Sequence, residues 1–231
     1  MTHLHYHAHG CRTTLFLRLL VICIFFLQSC GRQAPSQSLQ NLPDNHSVVL
    51  ATTFNPNGFT NDRSMSGYHL IVWKKGKAAA ASLFQAEVSD RELLRRLTVM
   101  GAKPSNNLKL ECWSCRKDRG HPAPDLKAEG PVISVEYRLP NEKKWTPVYK
   151  LFVGIELADV DFRFTGNEKF IDVWKSGCIS CLYSCPGGKI SNAAYTIRDY
   201  TKSNTRFRLV PTGLPRQGSQ VMLKMTLKEA K

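Results

Sequence analysis

Short apolar runs separated by turn residues dominate the chain from Val48 onward. Val48-Val49-Leu50-Ala51-Thr52-Thr53-Phe54 reads as a strand, broken by Asn55-Pro56-Asn57-Gly58. Tyr68–Trp73 predicts a second strand that turns at Lys75-Gly76, and Ala78–Val88 a third, although its alanine run also suits a helix. The period changes at residues 89–101. Leu93, Leu94, Leu97 and Met100 share one face at helical spacing, behind a Ser89-x-x-Glu92 capping box and before Gly101 and Pro104. Alternation returns at Val132–Leu139, where Ile133, Val135, Tyr137 and Leu139 face one way. A strand over Trp145–Ile155 and a last one over Val221–Leu227 complete the pattern. No internal repeat is evident. The prediction is α+β: a single strand-rich domain over 48–231, with one clear amphipathic helix near 90–100 packed on a mainly antiparallel sheet.

The N-terminus reads as an address. Residues 1–30 hold no acid, and an apolar run of nine, Leu19–Leu27, follows Arg18. A bilayer-spanning helix needs roughly 20 such residues, so the run suits the core of a signal peptide. Leu27-Gln28-Ser29-Cys30 then resembles a bacterial lipobox, which implies cleavage before Cys30 and acylation of its thiol. The expectation is a signal peptide over 1–29, then a lipidated Cys30 with a polar tether over 30–47. The mature chain would be held to the outer or inner membrane of a bacterial envelope, facing the periplasm. His3, His5, His7 and His9 fall in the part predicted to be removed, and no paired arginines precede the apolar core. The leader thus suits general secretion, in which the chain crosses unfolded.

Charge adds less than its size suggests. The chain carries 32 basic and 18 acidic side chains. The basic residues are spread in runs of at most two, such as Lys74-Lys75 and Lys143-Lys144, and no nucleic-acid motif is visible. No nucleic-acid partner is expected; anionic head groups or the cell wall are the better match.

Chemistry concentrates in the cysteines. Eight occur, and Cys11, Cys23 and Cys30 belong to the leader. The domain keeps Cys112-Trp113-Ser114-Cys115 and Cys178-Ile179-Ser180-Cys181-Leu182-Tyr183-Ser184-Cys185-Pro186. Five is odd, so intramolecular disulfides cannot pair them all. Two-residue spacing lets two thiolates grip one metal or cluster edge from a tight turn. Cys178, Cys181 and Cys185 with one thiolate from Cys112 or Cys115 would make four ligands. An oxidising compartment favours disulfides instead, and both uses stay open. Covalent haem is disfavoured, because Arg116 and Leu182 stand where a histidine should follow Cys-x-x-Cys. A thioredoxin-like role for Cys112 and Cys115 is disfavoured too: residues 116–130 read as loop, not as the helix such a site requires.

The 178–196 segment goes beyond spacing. Gly177-Cys178-x-x-Cys181-x-x-Ser184-Cys185-Pro186 followed by Ser191-Asn192-Ala193-x-Tyr195-Thr196 resembles the YdjY-like family of ferredoxin-type proteins. Trp73-Lys74-Lys75-Gly76-Lys77, Gly101-Ala102-Lys103-Pro104, Arg163-Phe164-Thr165-Gly166-Asn167 and Leu214-Pro215-Arg216-Gln217-Gly218 match in the same order, over most of 67–227. The resemblance implies Cys178, Cys181 and Cys185 as ligands of an iron–sulfur centre; an electron-transfer or redox-accessory role for that centre would bring a redox partner protein. It assigns no activity, and an enzymatic role is not expected. The other reading is a binding or structural module of the envelope, with the cysteines as disulfide staples.

Remaining candidates are weaker. His69 lies in an apolar strand and reads as a hydrogen-bonded structural residue. Asp159, Asp161 and Glu168 near Arg163 read as a solvated face. No nucleophile elbow or phosphate loop appears. Trp113 and Trp174 each sit near a cysteine cluster and are expected to shield it from water.

Overall fold

A computed structural model of the chain describes residues 39–41, 46–60, 67–120, 124–203 and 207–228. The leader, Cys30 and most of the expected tether lie outside the described residues. Leu39–Asn41, inside the stretch expected as tether, form a short strand β1 that pairs with β2.

The described residues build one mixed sheet. Its strands are β2 (Ser47–Phe54), β3 (His69–Trp73), β4 (Ser82–Ala86), β5 (Ile133–Arg138), β6 (Thr146–Pro147), β7 (Phe162–Phe164), β8 (Cys178–Cys181), β9 (Ile190–Asn192) and β10 (Gln220–Leu227). They run in the order β6-β5-β10-β2-β4-β3-β8-β9-β7, with β1 beside β2 off this path. The expectation of a mainly antiparallel sheet is corrected to a mixed one, because β3–β4 and β8–β9 are parallel. A parallel pair needs a crossover connection; the one from β3 to β4 runs through residues read as a turn and the start of a strand, and the one from β8 to β9 through the cysteine segment. A bridge between Val132 and Arg163 brings the start of β5 to β7, so the sheet curls.

Hydrophobic burial follows the strand pattern. Val48, Leu50, Leu223 and Met225 are fully buried, and the β2–β10 register sets Leu50 opposite Leu223 and Val48 opposite Met225. Burying such side chains stabilises by roughly 1.5–3 kcal/mol each.

The predicted helix is α2, Asp90–Val99; before it comes the short α1, Pro56–Thr60. The Ser89 hydroxyl accepts the Glu92 amide at 3.1 Å, capping α2 as expected. Glu92 does not complete a capping box: its carboxylate takes Arg95 and Arg96 instead, each at 2.8 Å. Leu93, Leu94 and Leu97 are buried on the core side. Three more short helices accompany α2 among the described residues: α3 (Glu111–Ser114), α4 (Lys169–Trp174) and α5 (Ile197–Lys202).

Two expected strands are corrected. Trp145–Ile155 yields only β6, since Pro147 has no amide proton for the ladder and Val148–Leu151 winds into a 3₁₀ turn. Ala78–Val88 begins as a 3₁₀ turn at Ala79–Ala81 and becomes β4 afterwards. Asn55 secures that turn by donating to the Ala80 and Ser82 carbonyls.

The exit of β3 is stitched to the entry of β8. Trp73, Lys77 and Ala78 amides donate to the carbonyls of Gly177, Lys175 and Ser176. Gly177 has φ +71, and a Cβ there would meet the Gly76 Cα at 2.7 Å. Two facing glycines therefore let the backbones touch, and this contact holds β8 against β3.

Candidate functional site

Strand pairing assembles the site. Antiparallel β3–β8 sets His69 opposite Cys181 and Val72 opposite Cys178, with register shifts between. Those irregularities turn His69 toward the sulfurs: its Nδ1 lies 3.4 Å from the Cys178 Sγ across 109 residues of chain. The Cys178 and Cys181 sulfurs are 2.7 Å apart. His69 Nδ1 and both sulfurs fall within 4.8 Å of one another, all buried.

The loop after β8 brings Cys185 beside Cys181, next to the His69–Cys178–Cys181 group but outside its 4.8 Å span. Leu182 donates its amide to the Tyr68 carbonyl and Cys185 its amide to the Tyr183 carbonyl. The Ser191 hydroxyl caps the Cys185 carbonyl at 3.1 Å. Buried Ser184 accepts from the Ala128 amide at 2.8 Å and donates to the Asn192 carbonyl at 3.1 Å, which explains a serine inside the cysteine motif. Gly187 and Gly188 have no room for side chains. A Cβ on Gly187 would reach the Trp174 ring at 2.8 Å; one on Gly188 would reach the Cys181 sulfur at 3.2 Å.

The five cysteines of the domain do not act alike. All are free thiols, and Cys112, Cys178, Cys181 and Cys185 are buried while Cys115 is half-buried. Cys112, on α3, lies within electrostatic reach of Cys185. Cys115 has the Ser114 hydroxyl 3.7 Å away. The structure therefore gathers Cys178, Cys181 and Cys185, sets Cys112 near them, and adds His69, which the sequence had suggested was structural. A histidine 109 residues from its cysteines leaves no spacing signal, so only the strand register reveals it.

Charge inside the site is uneven. Burial pushes the Cys178 thiol up, but the hydrogen bond from Cys181, the neighbouring His69 and nearby Lys189 outweigh it and bring it down to about 6. Burial and the two neighbouring thiols push Cys181 well up. The two shifts run in opposite directions, so the pair loses its first proton more readily than a lone buried thiol and its second far less readily. Burial also raises Tyr68, as do the three thiols beside it. Lys189 is fully buried behind the thiols, its ammonium donating to the Asn167 carbonyl at 3.1 Å. Burial lowers its affinity for the proton, and the charges of Asp90 and the three cysteines oppose that shift.

A cleft of about 440 Å³ opens onto this cluster, lined among others by Tyr68, His69, Trp113, Trp174, Cys178 and Cys185. Both tryptophans flank the thiols, as expected, with ring centres 6.4 Å apart.

The donor set of one imidazole and up to three thiolates fits a borderline or soft transition metal. Around a single ion, bonds of about 2.0–2.3 Å place tetrahedral donors roughly 3.3–3.8 Å apart; the 3.4 Å between His69 Nδ1 and the Cys178 sulfur matches that edge, while the two sulfurs, at 2.7 Å, would have to separate to reach it. An iron–sulfur cluster distributes its cysteines over two or more irons, and fits only if these sulfurs move apart.

Comparison with known proteins agrees with the motif. Residues 43–226 match the YdjY domain model, and the chain belongs to the YdjY domain family. It is 28% identical over 161 residues to a protein of Escherichia coli (strain K12) described as uncharacterized protein YdjY. The match covers 70% of this chain and 65% of that protein, so it spans just under two thirds of the relative's length. No solved structure matches the chain.

Proposed function

We propose that the chain is an electron-transfer or redox-accessory lipoprotein of the bacterial envelope, anchored through Cys30 and facing the periplasm. Its centre is one transition-metal ion held by His69, Cys178 and Cys181, with Cys185 as fourth donor. The observation that carries this reading is the convergence of His69 with Cys178 and Cys181 within 4.8 Å in a buried site beside an open cleft. Such an ion supplies reversible one-electron chemistry if it is iron or copper. This chain's residues do the rest. Trp113 and Trp174 limit water at the cleft, and buried Lys189 offsets thiolate charge. The leader supports the location, with its basic start, short apolar core and Leu-x-Ser-Cys in order.

The test is metal analysis of protein made anaerobically, with inorganic sulfide assayed in parallel. One iron or copper per chain, lost in Cys178→Ser and weakened about 10- to 100-fold in His69→Ala, supports the reading. Two or more irons with equal sulfide would restore the cluster implied by the family resemblance. In the same cells, Cys30→Ala should move the domain from membrane to soluble fractions, and unchanged retention rejects the anchor.

A second reading has its own observation. The 2.7 Å between the Cys178 and Cys181 sulfurs is nearer to a disulfide bond of about 2.05 Å than to the edge of a tetrahedral metal site. A metal-free protein in which these two cysteines alone resist alkylation until reduced would make the centre a dithiol–disulfide couple.

A further inference from the structure

The thiol cleft opens on a surface with a distinct character. Val173 is 70% exposed, and with Trp113 and Trp174 it makes an apolar mouth. Exposed Lys77 stands in its lining. Beside it, the Arg116 guanidinium lies 3.9 Å from the centre of the Trp113 ring and donates to the Trp113 carbonyl at 2.8 Å. Beyond Arg116 a concavity of about 660 Å³ is lined by Lys117, Arg119, Arg198 and Lys202, with Asp118 the acid among them. Two nearby acids are paired: Asp125 faces Arg198 at 3.5 Å, and Asp172, next to Val173, is held by Arg91 at 2.7 Å; Glu111, two residues before Trp113, is exposed. An aromatic series also leads inward from this surface. The rings of Trp113 and Tyr68 are 5.4 Å apart, and those of Tyr68 and His69 are 3.9 Å apart.

We infer that this face docks an acidic redox partner protein, with Trp113 as the point of closest approach to the centre. The inference rests on the redox reading above. An apolar patch with one sign of charge at its edge excludes water at the contact while steering an oppositely charged partner into place. The cations line a concavity, which receives a protruding acidic surface; a flat lipid surface would meet cations on a projecting face.

The experiment uses two outer-sphere oxidants of opposite charge, hexacyanoferrate(III) and hexaammineruthenium(III), mixed with the reduced full-length protein. Each takes one electron. One is consumed when a bound ferrous or cuprous ion loses an electron. Two are consumed when the Cys178 thiolate and the Cys181 thiol give up two electrons and the one remaining thiol proton and join as a disulfide. The tryptophans at the cleft report the change by fluorescence. The anionic oxidant should react at least tenfold faster, relative to each oxidant's own rate with free dithiothreitol, at low ionic strength, and that advantage should shrink as salt is added. Reversing Lys117→Glu, Arg119→Glu and Lys202→Glu together, which leaves Arg116 and Trp113 in place, should abolish or invert the preference. The equal-sized reversal Lys143→Glu, Lys144→Glu and Lys150→Glu, at residues lining neither cavity, should leave most of it.

Equal rates with both oxidants, or equal effects of the two triple variants, overturn the docking face while leaving the redox centre standing. Binding to phosphatidylglycerol vesicles that is lost in the first variant, with oxidant preference unchanged, overturns it in favour of a lipid surface. A protein that reduces neither oxidant, although its thiols titrate as reduced, overturns the redox reading and the docking face with it.

Discussion

Replacing Ser184 by alanine removes a single oxygen from the cysteine motif and opens two hydrogen bonds. Ser184 is fully buried. Its oxygen accepts from the Ala128 amide at 2.8 Å and donates to the Asn192 carbonyl at 3.1 Å. The variant leaves the Ala128 amide without that partner in a site closed to water, which costs about 1–3 kcal/mol. Loss of the bond to Asn192 adds about 1 kcal/mol. The expected destabilisation is about 3 kcal/mol, equivalent to a fall of about 9 °C in Tm for a domain of this size. Urea and thermal unfolding of reduced, metal-free protein measure it, so that metal binding cannot mask the change. Ser114→Ala is the control, because Ser114 is exposed and its hydroxyl makes only the longer contacts to the Leu110 carbonyl at 3.3 Å and the Cys115 sulfur at 3.7 Å; its effect should stay within about 0.5 kcal/mol. If Ser184→Ala melts within about 1 °C of the parent protein, the hydrogen-bond account of the motif is refuted.

Four further outcomes follow from the structure. In reduced, metal-free protein the thiolate ultraviolet absorbance should rise through pH of about 6, and Cys178→Ser should remove that step. Because the folded value lies below the ordinary 9.0, this thiolate's contribution to stability is complete above about pH 9 and is lost as pH falls through about 6; urea midpoints across that window check the sign. Gly177→Ala should cost more than about 2 kcal/mol in urea unfolding, since it adds left-handed strain to a Cβ 2.7 Å from the Gly76 backbone, whereas Gly101→Ala, at φ +91 with open space around it, should cost only about 1 kcal/mol. Cys185→Ser should lower metal affinity and Cys115→Ser should leave it unchanged, as read by competition with a chromophoric chelator.

Much of the fold was legible where local chemistry decides conformation. The helix over 89–101 was visible because its cap, its apolar face and its glycine stop all lie within about one turn of the residues they act on. The strands at 132–139 and 221–227 were visible because one face of each is buried and the period is two; the strand at 48–54 was visible as an apolar, β-branched run closed by Asn55-Pro56, its first half buried on both faces. The short strands β7, β8 and β9 were not read as strands: three or four residues carry too little pattern, and Cys178–Cys181 is buried throughout, so it does not alternate. The failure at Trp145–Ile155 has a different cause, in that the apolar run was real but Pro147 and a 3₁₀ turn, not a ladder, bury Val148 and Leu151.

By itself the sequence determined which segment is special. Cys178, Cys181 and Cys185, with Ser184, Gly187 and Gly188 between and after them, are close in the chain, so a single loop must bring them together. Only the tertiary structure decided their company. The β3–β8 pairing delivers His69, α3 brings Cys112 near Cys185, and Lys189 is buried behind the thiols. The physical reason is that thiol spacing constrains contacts over a few residues, while a histidine ligand and a buried counter-charge are set by strand register and packing, which no short window of sequence records.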